Sequence, residues 1–354
     1  MTSGINKAAV SSSKRVAWVD DMKLFACVLV VLGHFYMSLQ ASGWIAADAP
    51  YYCLPIQTVY TFHVPLFFVC SGFLYQRKCT DYTLHSHLAT VLKKLIDLGV
   101  PYVAFSSMTL VLKMVFSDAV NHQATPFVQT LLFEPIAPYW YLYTLFLLFL
   151  LIPRIRSRER LAIVFAGCLL LKAAYAVVPL PVKVPDALGK IASNAVWFAF
   201  GMLLNDEGYR QRLLRRVPAV ISLVFAVVMS LIFYRATNQS SLVQFVIAAP
   251  FVYSLTYLFT RCSRAVEEGH ASSGERFSRY FLPVYVLHTI TAAGMRTLLL
   301  KLGIVALPVH VVAGLLASFL IPMAAYAIVS RYWWLLFWFE PSHALKMRSE
   351  AFHE

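Results

Sequence analysis

Long apolar runs separated by short polar segments follow one another along most of the chain. The runs are continuous and do not alternate between polar and apolar positions, which is typical of membrane-spanning helices rather than of a membrane barrel. Several runs are shorter than the roughly 20 residues that a span needs, so we expect them to extend into the adjoining loops. The pattern predicts ten spans, near residues 20–40, 56–75, 92–116, 138–153, 160–178, 190–205, 216–234, 241–260, 280–300 and 306–331.

Composition agrees with a membrane domain. Of the 354 residues, 60% are hydrophobic and only 13% are charged, whereas about a quarter are charged in soluble domains. The sequence therefore predicts an all-α polytopic membrane protein with one transmembrane domain (20–339), a cytoplasmic N-terminal tail (1–19) and a cytoplasmic C-terminal tail (340–354). The N-terminal segment lacks an apolar core and a cleavage site, so we expect the first span to be retained.

The net charge of +13 raises the question of nucleic-acid binding, but the positions of the charges argue against it. With the N-terminus in the cytoplasm, the predicted cytoplasmic segments hold 22 of the 30 Lys and Arg residues and the opposite segments hold 5. This asymmetry predicts that both termini are cytoplasmic. The remaining three cations, Lys23, Lys113 and Lys172, fall within spans. The six cysteines are scattered without a CxxC pair, so we expect neither a metal site nor a disulfide framework.

Lys23 and His34 lie in the first predicted span, eleven residues apart. Three helical turns cover about 10.8 residues, so both side chains project from nearly the same face, about 16 Å apart along the axis. Ionisable residues within a membrane indicate a functional site. A snorkelling lysine and a histidine bonded to a neighbouring helix would explain the same pattern. Asp20 precedes Lys23 by three residues and is placed to form an ion pair with it.

The second predicted span carries His63 shortly before Pro65, which should kink or loosen the helix. Ser71 and Gly72 follow about two turns deeper, where small residues allow another helix to approach closely. Ser71 has no Gly-x-Ser-x-Gly context, so packing explains it more readily than a role as nucleophile.

Trp140 and Tyr141 open the fourth predicted span. Aromatic residues at this position are typical of the membrane interface, although they would also stack on a sugar ring. His288 lies about two turns into the ninth predicted span, where structural and functional interpretations are equally open.

Five blocks of sequence then occur in the order of one known family. They are Asp20-Asp21-Met22-Lys23 with Gly33-His34, "FHVPLFFVCSGFLYQRK" (62–78), Trp140-Tyr141-Leu142, "FAFGMLL" (198–204) and "FLPVYVLHT" (281–289). Together they resemble the acyltransferase 3 family of membrane-bound O-acyltransferases over nearly the whole chain. Lys23 stands where that family usually has arginine, and it acts as a point charge rather than a bidentate clamp. Lysine at this position resembles the branch of sugar O-acetylases similar to fucose 4-O-acetylase and enterobacterial common antigen O-acetyltransferase.

The resemblance implies a multi-pass enzyme of the bacterial cytoplasmic membrane that transfers an acetyl group from cytoplasmic acetyl-CoA to a glycan hydroxyl. Acetyl-CoA would be a co-substrate, with no tightly bound cofactor and no metal. Lys23, Arg77 and Lys78 would bind its phosphates. His34 would act as general base or as a transient acyl carrier, the two routes being open, and Ser71 is a further catalytic candidate.

The acceptor implied by the resemblance is a cell-surface polysaccharide or its lipid-linked precursor. His63 would assist catalysis or bind this acceptor together with Trp140 and Tyr141, while Asp20 and His288 are auxiliary candidates. Membrane lipids are further partners, and nucleic acid is not expected. The alternative function is a secondary transporter or exporter, which ten spans and buried histidines would also suit. Few intramembrane acids and no paired repeat of Gly- or Pro-broken spans argue against it.

Overall fold

The computed structural model describes residues 15–46, 48–78, 83–116, 126–177, 185–234, 240–263 and 272–351. Within these ranges the secondary structure is helical and contains no strand, which confirms the predicted all-α fold. Most of the predicted N-terminal tail and the last three residues lie outside the described ranges. The longer helices are α1 (Ala17–Ala41), α2 (Pro50–Arg77), α3 (Leu84–Val115), α5 (Trp140–Leu151), α6 (Arg158–Val177), α7 (Asp186–Leu204), α9 (Arg216–Phe233), α10 (Ser241–Cys262), α12 (Phe281–Lys301), α13 (Leu307–Val329) and α15 (Pro341–Ala351). Short helices are α4 (Phe127–Leu132), α8 (Glu207–Leu213), α11 (Ser273–Phe277) and α14 (Trp333–Leu336).

Eight of these helices are long and apolar enough to cross a membrane, so the chain is a polytopic membrane protein. They are α1, α2, α3, α6, α7, α9, α10 and α13, and each coincides with a predicted span. The other two predicted spans correspond to α5, which has 12 residues, and to α12, which has 21. The number of crossings and the cytoplasmic location of both termini stay predictions.

Central and peripheral helices differ in how much of each span the protein buries. The buried share is 56% for α2 and 67% for α7, but only 11% for α6 and 17% for α9. An apolar helix that the protein leaves largely uncovered must face lipid. The core therefore lies around α2 and α7, with α6 and α9 at its lipid-facing edge.

Two glycines allow α2 and α7 to pack with their backbones in contact. A Cβ atom on Gly72 of α2 would overlap the backbone carbonyl of Phe198 on α7. A Cβ atom on Gly201 of α7 would overlap the carbonyl of Val69 on α2. The prediction that Gly72 permits a close helix approach is confirmed.

Polar contacts hold α1 near both of its ends. Near its start, the Asp21 carboxylate accepts a hydrogen bond from the Gly274 backbone N–H at 2.8 Å, which ties α1 to α11. Near its end, the Arg296 guanidinium donates to the Ser38 hydroxyl at 2.7 Å and to the Ser38 carbonyl at 3.1 Å. A cation is favourable at a helix C-terminus because it complements the helix dipole. Since α12 follows α11 and carries Arg296, it runs alongside α1 for most of its length.

Candidate active site

A cavity of about 280 Å³ lies beside His34, between α1, α2, α7 and α10. Three of its lining side chains can carry a positive charge: His34, His63 and Lys172. Its aromatic lining consists of Tyr60, Trp140, Tyr141, Trp197, Phe245 and Tyr285. Its uncharged polar lining consists of Thr61, Ser193, Asn194, Ser241 and Gln244. None of the described lining residues is Asp or Glu, so the cavity has no negative side chain among them.

The cavity occupies the half of the bundle away from Lys23. On α1 it reaches from Val30 to Met37, and it is also lined by Trp140 and Ser241, the first residues of α5 and α10. In the predicted orientation this is the half on the outer side of the membrane. The described lining stops at Val30, seven residues from Lys23, so it does not reach the residues predicted to bind the donor.

Helices α1 and α2, which are consecutive, and the distant α12 bring their histidines together here. The ring centroid of His34 on α1 lies 5.3 Å from that of His288 on α12. It lies 6.0 Å from the ring of Tyr60 on α2, which in turn lies 4.7 Å from His63. One cluster therefore contains His34 and His63, from the first two sequence blocks, and His288, from the last block. Among the residues described, no group of three or more His, Cys, Asp or Glu is arranged to hold a metal ion.

Backbone carbonyls determine which ring nitrogen carries the proton in two of these histidines. The Nδ1 atom of His63 lies 2.7 Å from the Val59 carbonyl, and Nδ1 of His288 lies 2.9 Å from the Tyr285 carbonyl. A carbonyl can only accept, so Nδ1 is the protonated donor in both rings. In the neutral ring Nε2 is then an acceptor. In His288 this atom is buried and has no hydrogen-bond partner in the described structure.

Ser71 contacts the cavity wall through Tyr141. Its hydroxyl lies 3.0 Å from the Tyr141 hydroxyl, which also donates to the Phe67 carbonyl at 3.4 Å. With the Tyr141 proton directed to that carbonyl, Ser71 donates to Tyr141 and holds its ring in place. Ser71 is not among the described residues that line the cavity, so the geometry favours a positioning role over a nucleophilic one.

Trp140 and Tyr141 are part of the cavity wall as well as of the helix start. The Lys190 ammonium lies 5.1 Å from the centre of the Trp140 ring and forms an ion pair with Asp186 at 2.5 Å. These contacts fix the indole where it faces a potential ligand. A role beyond an interfacial belt is therefore structurally open to Trp140.

The predicted donor residues lie at the other end of the bundle. Lys23 is half-buried on α1, while Arg77 and Lys78 are exposed where α2 ends. The charge of Lys94 on α3 interacts electrostatically with that of Asp97 and with those of Lys23 and Lys78. Lys23, Lys78 and Lys94 are called the basic cluster. Lys94 was not among the predicted donor residues, because only the packing of α3 brings it close to Lys23 and Lys78.

Asp20 interacts electrostatically with Lys23, but the described residues show no ion pair between them within 4 Å. Its neighbour Asp21 makes the hydrogen bond to Gly274 of α11, and the Asp20 backbone packs against the same glycine. Asp20 is thus close to the basic cluster without neutralising Lys23 directly.

Several cavity residues were not predicted to belong to the site. The sequence identified Lys172 only as a cation within a span. A charged residue at such a position indicates a functional site, so this signal could have marked Lys172 as a site residue. Tyr60, Asn194, Trp197 and Phe245 are ordinary residues of amphipathic or apolar runs, and nothing in their spacing distinguishes them. Only the packing of α2, α7 and α10 shows that they share one cavity.

The sequence model of the acyltransferase 3 family, an acyltransferase domain, matches residues 16–327. This range begins before α1, ends within α13, and contains the basic cluster, the three histidines and every described lining residue of the cavity. No curated protein and no solved structure matches the chain. Because the family match covers well over half of its residues, the chain belongs to the acyltransferase 3 family and is a membrane acyltransferase.

Proposed function

We propose that the protein is an O-acetyltransferase of the bacterial cytoplasmic membrane that moves an acetyl group from cytoplasmic acetyl-CoA to a hydroxyl of a glycan. The observation that carries this proposal is the position of His34, which lines a cavity walled by aromatic and amide side chains and lies beside a second histidine. An imidazole in a cavity of this kind can act on a bound hydroxyl group.

In the simpler route His34 is the general base. The acceptor hydroxyl gives its proton to a ring nitrogen of His34 while its oxygen attacks the thioester carbonyl. A C–O bond forms, the C–S bond breaks, and the proton passes from His34 to the leaving thiolate of coenzyme A. This route requires His34 to be neutral at the start.

In the second route His34 is the nucleophile. Its ring nitrogen attacks the thioester, coenzyme A leaves as the thiol, and the resulting acetyl-imidazole passes its acetyl group to the acceptor hydroxyl. His34 could serve in this way from its place in the cavity wall, on the same helix as Lys23. Both routes pass through an oxyanion that needs a hydrogen-bond donor.

Tyr60 is a candidate for that donor. Its hydroxyl is buried without a hydrogen-bond partner in the described structure, although its ring lines the cavity next to His34. A buried hydroxyl without a partner is costly, and a bound oxyanion would satisfy it. Tyr141 is a weaker candidate because its hydroxyl already bonds to Ser71 and Phe67.

The cavity lining supports a sugar as acceptor. Trp140, Trp197 and Phe245 offer flat apolar surfaces, while Asn194 and Gln244 bring amide groups to the same space. A few polar groups placed among aromatic walls is the usual composition of a small-molecule site. The acceptor would be a cell-surface polysaccharide or its lipid-linked precursor.

The basic cluster supports a phosphate-bearing donor. Lys94 interacts electrostatically with Lys23 and with Lys78, at the end of the bundle where most Lys and Arg residues lie. Clustered cations bind phosphate groups well, and coenzyme A carries several of them. The extended and mostly uncharged remainder of coenzyme A would cover the roughly 16 Å that eleven helical residues span.

The decisive experiment replaces His34 by alanine and measures transfer of labelled acetyl groups from acetyl-CoA to membrane glycans. Losing a catalytic base or nucleophile should lower transfer by about 10²-fold or more. His310→Ala is the matched control, because His310 is a buried histidine that bonds to the Ile304 carbonyl at 2.8 Å and lies outside the cavity. Full transfer by a normally expressed His34→Ala protein would contradict the proposal.

Two mass-spectrometric measurements extend this test. Surface glycans from cells with and without the protein should differ by the mass of one acetyl group per modified unit. Intact protein incubated with acetyl-CoA and no acceptor should gain one acetyl group on His34 if the acyl-imidazole route operates. An unmodified His34 in a protein that transfers acetyl normally would favour the general-base route.

A further inference from the structure

Lys172 is a lysine within a membrane-facing helix whose side chain is turned into the protein. Only Leu161 and Lys172 are buried on α6, and the share of this span that the protein covers is 11%. Lys172 itself is 7% exposed and lines the cavity that contains His34. The one buried side chain in the second half of α6 is therefore a cation directed at the candidate acceptor site.

No anionic side chain lies beside this cation in the described part of the chain. No ion pair or hydrogen bond joins the Lys172 ammonium to any residue in the described ranges, and its contact is the ring of Phe245, 5.8 Å away. The described cavity lining contains neither Asp nor Glu. A buried charge without a partner destabilises a protein unless an opposite charge joins it. The missing negative charge is one that a ligand can supply.

We propose that Lys172 binds an anionic group of the acceptor, so that the enzyme acts on an acidic sugar bearing a carboxylate or a phosphate. The proposal rests on the assignment of the cavity as the acceptor site of an acyltransferase. Asn194 and Gln244 line the same cavity and can hydrogen-bond the ring hydroxyls, while Trp140 and Trp197 provide apolar faces. An ammonium among such groups selects for charge, and the amides and rings select for the sugar.

The size of the cavity limits the ligand. At about 280 Å³ it lies just below the usual range of pockets for drug-sized molecules, about 300–1,000 Å³. It would hold one sugar unit with its charged substituent. The acceptor is then a single acidic sugar or the acidic unit at an accessible position of a longer glycan.

The test measures binding of defined probes to the full-length protein in detergent. The probes are methyl glucuronide, which carries a carboxylate, glucose 6-phosphate, which carries a phosphate, and methyl glucoside, which is neutral. Binding is followed by tryptophan fluorescence, since Trp140 and Trp197 line the cavity. We expect at least one anionic probe to bind about tenfold or more tightly than the glucoside, and the tighter of the two identifies the anion. Equal affinity for all three probes would overturn the proposal.

Variants then assign the preference to Lys172. Lys172→Met should abolish the preference for the anionic probe, whereas Lys172→Arg should retain most of it. Lys301→Met is the matched control, because Lys301 is an exposed lysine at the end of α12 and should leave the preference unchanged. An anion preference that survives in a folded Lys172→Met protein would show that another group binds the anion. If a variant fails to fold, the comparison of the three probes on the unmodified protein still decides whether the site prefers an acidic sugar.

These outcomes separate the two proposals. Probe binding involves no acetyl transfer, so a retained anion preference in a protein that transfers no acetyl group would overturn the proposed function alone. Acetyl transfer to glycans with no preference among the probes would overturn the acidic acceptor alone.

Discussion

At the scale of single residues, the described hydrogen bonds of His63 and His288 go to backbone carbonyls rather than to carboxylates. The carbonyls of Val59 and Tyr285 accept from Nδ1 of His63 and His288, which leaves the Nε2 atoms as acceptors. Carbonyls do this without adding a negative charge to the membrane interior, where a carboxylate would be costly. A base that takes a proton from a hydroxyl group must itself start out neutral.

His288 can be tested through its unpartnered Nε2 atom. We expect His288→Ala to lower acetyl transfer by about tenfold or more. The substitution removes the ring next to His34 and, with it, the Nε2 atom that can accept a hydrogen bond. His288→Gln should retain more activity, since its amide oxygen can accept a hydrogen bond near the position of Nε2. Transfer assays on equal amounts of folded protein measure both, and equal activity of the alanine variant and the unmodified protein would rule out a role in catalysis.

Lys23 can be tested through the Michaelis constant for the donor. We expect Lys23→Glu to raise the KM for acetyl-CoA about tenfold or more, because a carboxylate in the basic cluster repels phosphate. Thermal stability should change little, since Lys23 has no ion pair within the described structure. Lys346→Glu, at an exposed lysine on α15, serves as the control. An unchanged KM would remove Lys23 from the donor site.

Sequence alone could predict relations within one helix but not between helices. The shared face of Lys23 and His34 follows from helical periodicity. The distance between His34 and His288 does not, because 254 residues separate them in the chain and only tertiary packing joins α1 to α12. Lys172 shows the same limit: its place within a span was evident, but not the cavity into which it points.

At the scale of helices, the contact of α2 with α7 depends on Gly72 and Gly201, which have no Cβ atom. Gly72→Ala or Gly201→Ala would force a methyl group into a backbone carbonyl of the facing helix. We expect each variant to lose about 2 kcal/mol or more of stability, since two backbones must separate to relieve the overlap. Thermal unfolding in detergent measures the loss.

Gly167→Ala provides the control for these variants. Gly167 is a glycine of α6 with nothing near the position of an added Cβ atom, so alanine should be neutral or slightly stabilising there. A Gly72→Ala protein as stable as Gly167→Ala would show that α2 and α7 are less tightly packed than the structure indicates.

The sequence located the helices well, because a continuous apolar run inside a bilayer must form a helix to satisfy its backbone hydrogen bonds. Their ends and lengths were less predictable. The second span begins at Pro50 rather than near 56, and α2 continues through Pro55 and Pro65 as one helix of 28 residues. Contacts made by neighbouring helices allow a proline to be accommodated, and a single sequence does not reveal those contacts.

At the scale of the whole molecule, the basic cluster and the cavity lie at opposite ends of one bundle. The Gln76 side chain of α2 accepts a hydrogen bond from the Ile155 backbone N–H at 3.1 Å, so the end of α2 lies beside the segment that follows α5. Arg158 at the start of α6 pairs with Asp206 after α7 at 2.9 Å. The ends of α2, α5 and α7 and the start of α6 therefore share one face, which the charge asymmetry predicts to be cytoplasmic.

This orientation can be measured by labelling single cysteines in a cysteine-free protein. Glu159→Cys, near the start of α6, should react with a membrane-impermeant maleimide only after the cells are opened. Lys301→Cys, at the end of α12, should react in intact cells. Both positions are exposed in the structure. The reverse result would place the cavity on the cytoplasmic side and require the acceptor to bind there.

The polar contacts along α1 have a consequence for insertions and deletions. Asp21 and Ser38 fix the two ends of this helix, and Lys23 and His34 lie between them. One extra residue between Lys23 and His34 would turn the imidazole by about 100° and shift it by about 1.5 Å relative to Lys23. The number of residues in this segment is therefore fixed by the relative positions that Lys23 and His34 must keep.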